Sequence, residues 1–236
     1  MQPYIGEFVG TLMLVLLGDG VVANVVLAKT KGNNSGWVVI TFGWAVAVMV
    51  PALMFGVMSG AHFNPALTLA LGFLGITPAA LVPGYIIAQL AGAFCGACLV
   101  YIMYKDHFDA TDDAGAKLAV FSTGPAIRNI PNNFISEVIG TFVLVFAILG
   151  VGHAVYGGTA ALQTFGVAGI ILTCGMSLGG TTGYAINPAR DLGPRIAHFL
   201  LPIKNKGDSD WGYAMVPILG PVVGAVLAGI AGKAIF

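Results

Sequence analysis

The sequence predicts an all-α membrane protein with six transmembrane helices and two re-entrant half-helices, arranged as an inverted repeat. Three observations predict it. The first is composition: of 236 residues, 57% are hydrophobic and 8% charged, with a mean hydropathy of +0.90, whereas a soluble domain carries about 25% charged residues. The second is a charge map with long blanks. No Asp, Glu, Lys or Arg occurs from Gly32 to Tyr104, from Val138 to Ala189, or from Trp211 to Gly232. The third is a pair of Asn-Pro-Ala boxes, Asn64-Pro65-Ala66 and Asn187-Pro188-Ala189, lying in the gaps between apolar stretches. Ten acidic residues balance ten basic ones, so no basic excess points to nucleic acid as a partner.

At about 20 residues per span, the apolar stretches place helices near 4–28, 37–57, 81–104, 133–152, 161–179 and 212–235. The first has no basic region before it, and Phe8 to Ala28 is long enough to cross, so it reads as a retained helix and not as a cleaved signal. Each box reads as a helix start, with Asn as N-cap, Pro at the first helical position and apolar residues after it. The helices they start run from Pro65 to about Gly72 and from Pro188 to about His198. At 1.5 Å per residue each covers ~10–15 Å, roughly half of a ~30 Å hydrocarbon core. Such segments must re-enter, which is tolerated where backbone is buried or lines a water-filled cavity. Cys95-Gly96-Ala97-Cys98 fits C-x-x-C, but without a strand-helix context its small residues suit close helix contact better than redox chemistry.

The chain repeats itself. Ile5-Gly6-Glu7-Phe8-Val9-Gly10-Thr11 matches Ile135-Ser136-Glu137-Val138-Ile139-Gly140-Thr141 at an offset of 130, and Gly92-x-x-x-Gly96-Ala97 matches Gly220-x-x-x-Gly224-Ala225 at 128. The two box asparagines are 123 apart. Three aligned anchors make a single transmembrane domain, 1–236, of two halves, about 1–110 and 130–236. Three spans per half is an odd number, so the second half enters from the opposite side, which puts a functional site near the midplane where the halves meet.

The chemistry at the boxes follows from helix ends. Two half-helices meeting N-terminus to N-terminus would each contribute roughly +0.5 charge there, repelling cations where screening is poor. An Asn N-cap accepts a backbone N–H through its side-chain oxygen and keeps its amide hydrogens as donors. Asn64 and Asn187 would then both donate to one passing oxygen. A water held so cannot also accept from its neighbour, which interrupts a proton-conducting chain. Two ordinary buried caps would use the same residues, but would not explain the pairing, the position or the repeat.

These features resemble the aquaporin family. The doubled boxes, Glu7 and Glu137 in the first helix of each half, and the string Asn187-Pro188-Ala189-Arg190-Asp191-Leu192-Gly193-Pro194-Arg195 are similar to its glycerol-facilitator branch, the aquaglyceroporins. Water-specific members usually lack the aspartate at the place of Asp191. The resemblance covers nearly the whole chain. It implies a multi-pass cell-membrane channel and a homotetramer with one pore per subunit. It also implies passive passage of glycerol and other small uncharged solutes, with water, undissociated lactic acid among the candidates, and exclusion of ions and protons. Its partners are then those solutes and membrane lipid, with no cofactor, metal or catalytic residue. The resemblance also implies a selectivity filter of Trp44, Gly175, Tyr184 and Arg190, the glycine leaving room that a water-specific filter fills with histidine. Many glycerol facilitators carry Phe at the place of Tyr184. Glu7 and Glu137 would accept hydrogen bonds from the re-entrant loops, with His62 and Asp191 supporting the pore.

Other readings attach to the same residues. A buried charge in a membrane is costly, so Arg190 is a functional hypothesis on its own account, while Arg195, nearer the end of its half-helix, is expected to snorkel to the surface. Trp44 and Tyr184 could be interfacial aromatics, His62 a structural histidine, and Glu7 and Glu137 solvated groups at the membrane edge. Asp19, within the first span, receives no partner from the motifs or the repeat. Gly175-Met176-Ser177-Leu178-Gly179 fits G-x-S-x-G, which would make an intramembrane serine hydrolase with a histidine base, but that motif needs a strand-to-helix elbow. An alternating-access carrier also uses inverted repeats, and a mainly water-conducting channel would share the boxes. Lys29, Lys31, Lys105, Lys117, Arg128, Lys204 and Lys206 fall on one face against Lys233 on the other. The positive-inside rule makes that face cytoplasmic, whereas the resemblance puts both termini in the cytoplasm. We follow the resemblance.

Overall fold

The computed structural model describes residues 1–154 and 160–236. Its elements in order are α1 (Gln2–Val26), α2 (Trp37–Ser59), α3 (Pro65–Phe73), a single 3₁₀ turn (Ala79–Leu81) leading into α4 (Val82–Ala110), α5 (Ala114–Phe121), α6 (Ile130–His153), α7 (Ala160–Leu178), α8 (Pro188–Leu200) and α9 (Met215–Ile235). Every element among the described residues is helical. Six of them, α1, α2, α4, α6, α7 and α9, are long and apolar enough to cross a membrane, and the protein is a multi-pass membrane protein. The two helices that follow the boxes, α3 and α8, have 9 and 13 residues and are too short to cross.

Two features depart from the sequence reading. Helix α4 continues past Tyr104 to Ala110, beyond its apolar stretch, where Lys105 and Asp109 form an exposed i,i+4 pair at 2.6 Å that suits a helix emerging into water. Helix α5 was not anticipated. Asp113 caps it by accepting from the backbone N–H groups of Gly115 and Ala116, a start signal that the acidic run around it obscures.

Among the long helices α1 packs on α4, α6 on α9 and α2 on α7, while the short α3 lies against α9 and α8 against α4. Lipid gives no hydrophobic drive between helices, so close backbone approach must supply the contact energy. The two glycine pairs provide it. A Cβ at Gly92 or Gly96 would stand 2.2 Å from the Phe8 carbonyl oxygen or 2.5 Å from that of Leu12; at Gly224 it would stand 2.3 Å from the Val138 oxygen, and at Gly220 2.7 Å from Glu137 Cβ. The box loops belong to the core as well, since Phe63 and Ile186 are buried in one apolar cluster with Leu14, Trp44 and Tyr184.

Several of the loop charges are engaged within the protein. Lys105 is paired with Asp109 and Arg128 with Asp210. Buried Lys117 donates to the Lys204 carbonyl, and Lys206 donates to the carbonyls of His198, Phe199 and Leu201, closing the C-terminal end of α8. Burial moves the Lys206 pKa below the ordinary lysine value. Three of the seven basic residues on that face, Lys117, Arg128 and Lys206, are thus engaged in holding loops together.

Candidate functional site between the two half-helices

Each half-helix is capped by its asparagine. Asn64 Oδ1 accepts from the N–H of Ala66 at 2.9 Å and of Leu67 at 3.5 Å, and Asn187 Oδ1 from Ala189 at 3.0 Å and Arg190 at 3.2 Å. The caps are also tied to each other's loops. Asn64 Nδ2 donates to the Ile186 carbonyl and Asn187 Nδ2 to that of Phe63, both at 2.8 Å. An amide carries two N–H groups, so one on each asparagine is committed to this crossing and one remains. The sequence reading had left both free.

The backbone before each box is held in a conformation side chains seldom adopt. Ala61 and Phe63 have φ of 52° and 49°, Tyr184 and Ile186 of 39° and 44°. For an aromatic or β-branched residue this is strained, and it persists only when the surroundings fix it. A buried carboxylate fixes each loop. Glu7 accepts from His62 N, Phe63 N, Ser59 Oγ and Gln89 Nε2 at 2.7–3.0 Å. Glu137 accepts from Ala185 N, Ile186 N and Thr182 Oγ1 at 2.7–3.0 Å. Ser59 and Thr182 each stand five residues before a box asparagine, a repeated hydroxyl that could have been read from sequence. The same alignment has no counterpart for Gln89, which faces Glu7 from α4.

A narrow cavity of about 70 Å³ lies where the half-helices meet, and Trp44, His62, Asn64, Tyr184, Asn187 and Arg190 all line it among apolar side chains such as Leu14, Leu67, Leu144 and Ile171. On the Arg190 side a wider space of about 290 Å³ opens, bounded again by Trp44, Tyr184 and Arg190, with Ser122 and Thr123. His62 is held by Thr68 Oγ1 at 3.1 Å and Thr77 Oγ1 at 3.4 Å. Glu7, Glu137 and Asp191 stand behind the wall, each 1% exposed or less.

Arg190 and Trp44 are stacked, the guanidinium carbon 4.2 Å from the indole centroid, an attractive cation–π geometry. Gly18 admits the indole, because a Cβ there would fall 2.2 Å from the ring. Arg190 Nη1 donates to the Phe121 carbonyl at 3.2 Å and lies 3.7 Å from Asp19 Oδ1. Trp44 is therefore stacked on the arginine, and Tyr184 lines the same spaces beside the pair. Gly175 does not reach the cavity surface. A Cβ on it would meet Tyr184 Cζ at 2.8 Å and Thr41 Cγ2 at 2.7 Å, and its carbonyl accepts from Trp37 Nε1 at 3.0 Å. Tyr184 thus sits in the notch that Gly175 and Gly179 leave on α7, edge-on to Trp37.

Arg195 corrects the expectation of snorkelling: it is fully buried. Its guanidinium donates to both Asp191 oxygens, at 2.8 and 3.0 Å, and to the carbonyls of Thr123, Ser209 and Asp210. Asp191 also accepts from Thr123 N and Oγ1. Burial is affordable because every charge has partners, and the cluster ties two loops to the start of α8.

No catalytic constellation accompanies this geometry among the described residues. Ser177 is exposed near the end of a continuous helix, and the flanking glycines admit Tyr184 and Trp37. His62, His107 and His198 hydrogen-bond to Thr68, the Ala28 carbonyl and Ser209, and His153 stacks on Phe236. No cluster of metal-ligating side chains occurs among the described residues.

Comparison with known proteins agrees with this architecture. Residues 1–231 match the family described as major intrinsic protein. The chain is 56% identical over 228 residues to the glycerol uptake facilitator protein of Streptococcus pneumoniae, covering 97% of each, and 54% identical over 227 residues to the probable glycerol uptake facilitator protein of Thermotoga maritima, covering 96% of each. Among solved structures it resembles the aquaglyceroporin from Plasmodium falciparum, with a TM-score of 0.86 and 31% identity over 99% of this chain and 96% of that one. A match across nearly the whole length, joined to two box-capped half-helices between six spans, leads to one conclusion: the chain belongs to the major intrinsic protein family.

Proposed function

We propose that this protein is a passive channel for glycerol and other small uncharged solutes, with water passing as well and ions and protons held out. The observation that carries the reading is the meeting of two half-helix N-termini, each with one uncommitted asparagine N–H, in a cavity also lined by Arg190 and Tyr184. The names of the relatives support glycerol as the solute, and the family points to a channel and not an enzyme.

The mechanism follows from the donors and the walls. Glycerol has a hydrocarbon edge and a row of hydroxyls. Arg190 carries five N–H groups, of which Nη1 bonds to Phe121, leaving Nη2 and Nε directed to solute oxygens while the Tyr184 ring meets the carbon edge. Past the filter the solute oxygen takes the remaining N–H of Asn64 and of Asn187. The apolar side chains between offer no hydrogen bonds, so solutes move in single file without a deep binding site. Cations meet Arg190 and then two helix N-termini of roughly +0.5 charge each. A weak acid such as lactic acid passes only undissociated, because its anion must shed water in a low-dielectric passage.

We propose further that the halves 1–110 and 130–236 form an inverted repeat, that the chain assembles as a homotetramer with a pore in each subunit, and that both termini face the cytoplasm. Stopped-flow light scattering on proteoliposomes with glycerol, water, urea and lactic acid gradients tests the channel. Glycerol flux linear in gradient and independent of ion gradients is expected. Saturable, ion-coupled flux would make it a carrier, and water flux without glycerol flux a water channel. For orientation, cysteines at the exposed positions Asn33 and Asn205 should label from outside intact cells; labelling only after permeabilisation would reverse the topology.

A further inference from the structure

Asp19 is a charged residue in mid-helix that neither the boxes nor their supports use. It is fully buried in α1, and neither carboxylate oxygen has a hydrogen-bond partner among the described residues. A buried carboxylate without donors stays ionised only beside a positive charge and otherwise takes up a proton. Arg190 is that charge, Nη1 lying 3.7 Å from Asp19 Oδ1. The neighbouring carboxylate, Asp191, is not available to Arg190, since both its oxygens are taken by Arg195 and Thr123. Arg195 in turn is directed to Asp191 and three carbonyls. The same turn of α1 seats both filter side chains, Gly18 receiving the Trp44 indole and Asp19 facing the arginine stacked on it.

We infer that Asp19 is a positioning and specificity-determining residue of this channel, the counter-ion that neutralises Arg190 and so keeps the filter closed to anions as well as cations. This rests on the channel reading above. An unopposed guanidinium at a constriction would reject cations but draw anions in, and in a site shielded from water that attraction is strong. With Asp19 behind it, the arginine keeps the donors that face the solute while the net charge of the pair is zero. The distance also matters: at 3.7 Å the carboxylate takes no hydrogen bond from Nη1, so it cancels charge without claiming the donors needed by glycerol hydroxyls.

The test uses Asp19→Asn, Arg190→Gln and the double variant, each in the full chain. In planar bilayers, nitrate, which stays ionised at every working pH, should conduct at least about tenfold better through Asp19→Asn than through wild type. Arg190→Gln added to Asp19→Asn should abolish the nitrate current. A folded Asp19→Asn channel with wild-type nitrate conductance would overturn the inference. Thermal unfolding in detergent provides a second readout that does not depend on transport. Arg190→Gln strands a buried carboxylate, so the double variant should melt higher than Arg190→Gln alone. Additive melting shifts, or a double variant that melts no higher than Arg190→Gln alone, would also overturn it. Wild-type protein lacking glycerol flux would fail the channel reading instead, and the melting cycle would still decide the pairing.

Discussion

The two box regions share a backbone conformation and, apart from their asparagines, differ in the side chains that line the cavity. Aligned on their asparagines, Ser59 stands with Thr182, Ala61 with Tyr184, Phe63 with Ile186, Leu67 with Arg190 and Thr68 with Asp191. What fixes the loops is duplicated: the positive φ values, the N-cap, the crossing amide and the buried glutamate occur in both. What discriminates is present once. The first region offers Ala61 and Leu67 where the second has an aromatic ring and a guanidinium, so on the proposed reading the second carries the filter, next to a buried ion cluster. Strain has to be held at both ends of the passage, whereas selection at one narrow point is sufficient.

The comparison is broken most severely at the aligned pair Thr68 and Asp191. Asp191→Ala leaves Arg195 buried without its carboxylate, which costs about 3–5 kcal/mol. Thr68→Ala removes a hydroxyl that serves Gln89 and His62 and costs about 1–3 kcal/mol. Thermal unfolding and yield of folded protein in detergent should rank Asp191→Ala well below Thr68→Ala. Equal losses would mean that the ion cluster does not anchor the second region.

The glutamates sharpen the duplicated part. In Glu7, Oε1 faces His62 N and Oε2 faces Phe63 N; in Glu137, Oε1 faces Ala185 N and Oε2 faces Ile186 N. Glutamine at either position must therefore point an NH₂ at a backbone N–H. Loss of such charge-assisted bonds costs about 1.5–3 kcal/mol per substitution. Glu7→Gln, with four donors disturbed, should lower the melting temperature more. Glu137→Gln should lower the glycerol-to-water permeability ratio more, since its loop carries Tyr184 and leads into the α8 turn that carries Arg190. The reverse ranking would refute the division between holding and selecting.

The glycine pairs are expected to respond alike. Alanine at Gly96 or Gly224 puts a methyl 2.5 or 2.3 Å from a carbonyl oxygen of the facing helix, an overpacking that costs about 1–3 kcal/mol. Melting of Gly96→Ala and Gly224→Ala should drop by similar amounts. A drop at one site only would mean that the halves are not held together in the same way.

How much of this was legible depended on whether a local rule or a tertiary neighbour set the feature. The six spans and the start of both half-helices could be read because length, hydropathy and Asn-Pro are local signals, and α3 and α8 begin at Pro65 and Pro188. The glycine spacing disclosed close helix contact, though not that Phe8, Leu12 and Val138 lie opposite. The site was less open. Arg195 was misread because its position near a helix end says nothing of the loops at Thr123 and Ser209 that fold over it. Asp19 was opaque for a related reason: its partner is 171 residues away in the other half, and its own aligned position, Leu149, is apolar. The reading of Gly175 as open room missed that Tyr184 occupies it, a fact set by the left-handed backbone at Tyr184.

That occupancy leads to the smallest expected effect. Position 175 has Tyr184 Cζ and Oη at 2.8 and 2.9 Å from a hypothetical Cβ, so Gly175→Phe must drive the tyrosine ring into the passage. Glycerol flux should then fall far more than water flux, since water is the smaller solute, and an unchanged ratio in proteoliposomes at matched protein density would remove Gly175 from the filter's support. Tyr184→Phe should do little. The Tyr184 hydroxyl is buried and has no hydrogen-bond partner among the described residues, so deleting it removes an unsatisfied polar group and should leave stability the same or raise it by about 1 kcal/mol. The ring, its contact with Trp37 and the notch on α7 all remain. Glycerol permeation should therefore stay at the wild-type level, with only solutes that use a second polar contact, such as urea, shifting modestly. A large fall in glycerol flux in Tyr184→Phe would show that the hydroxyl turns to the solute during passage, and the second region would then discriminate through three polar groups and not through Arg190 and Asn187 alone.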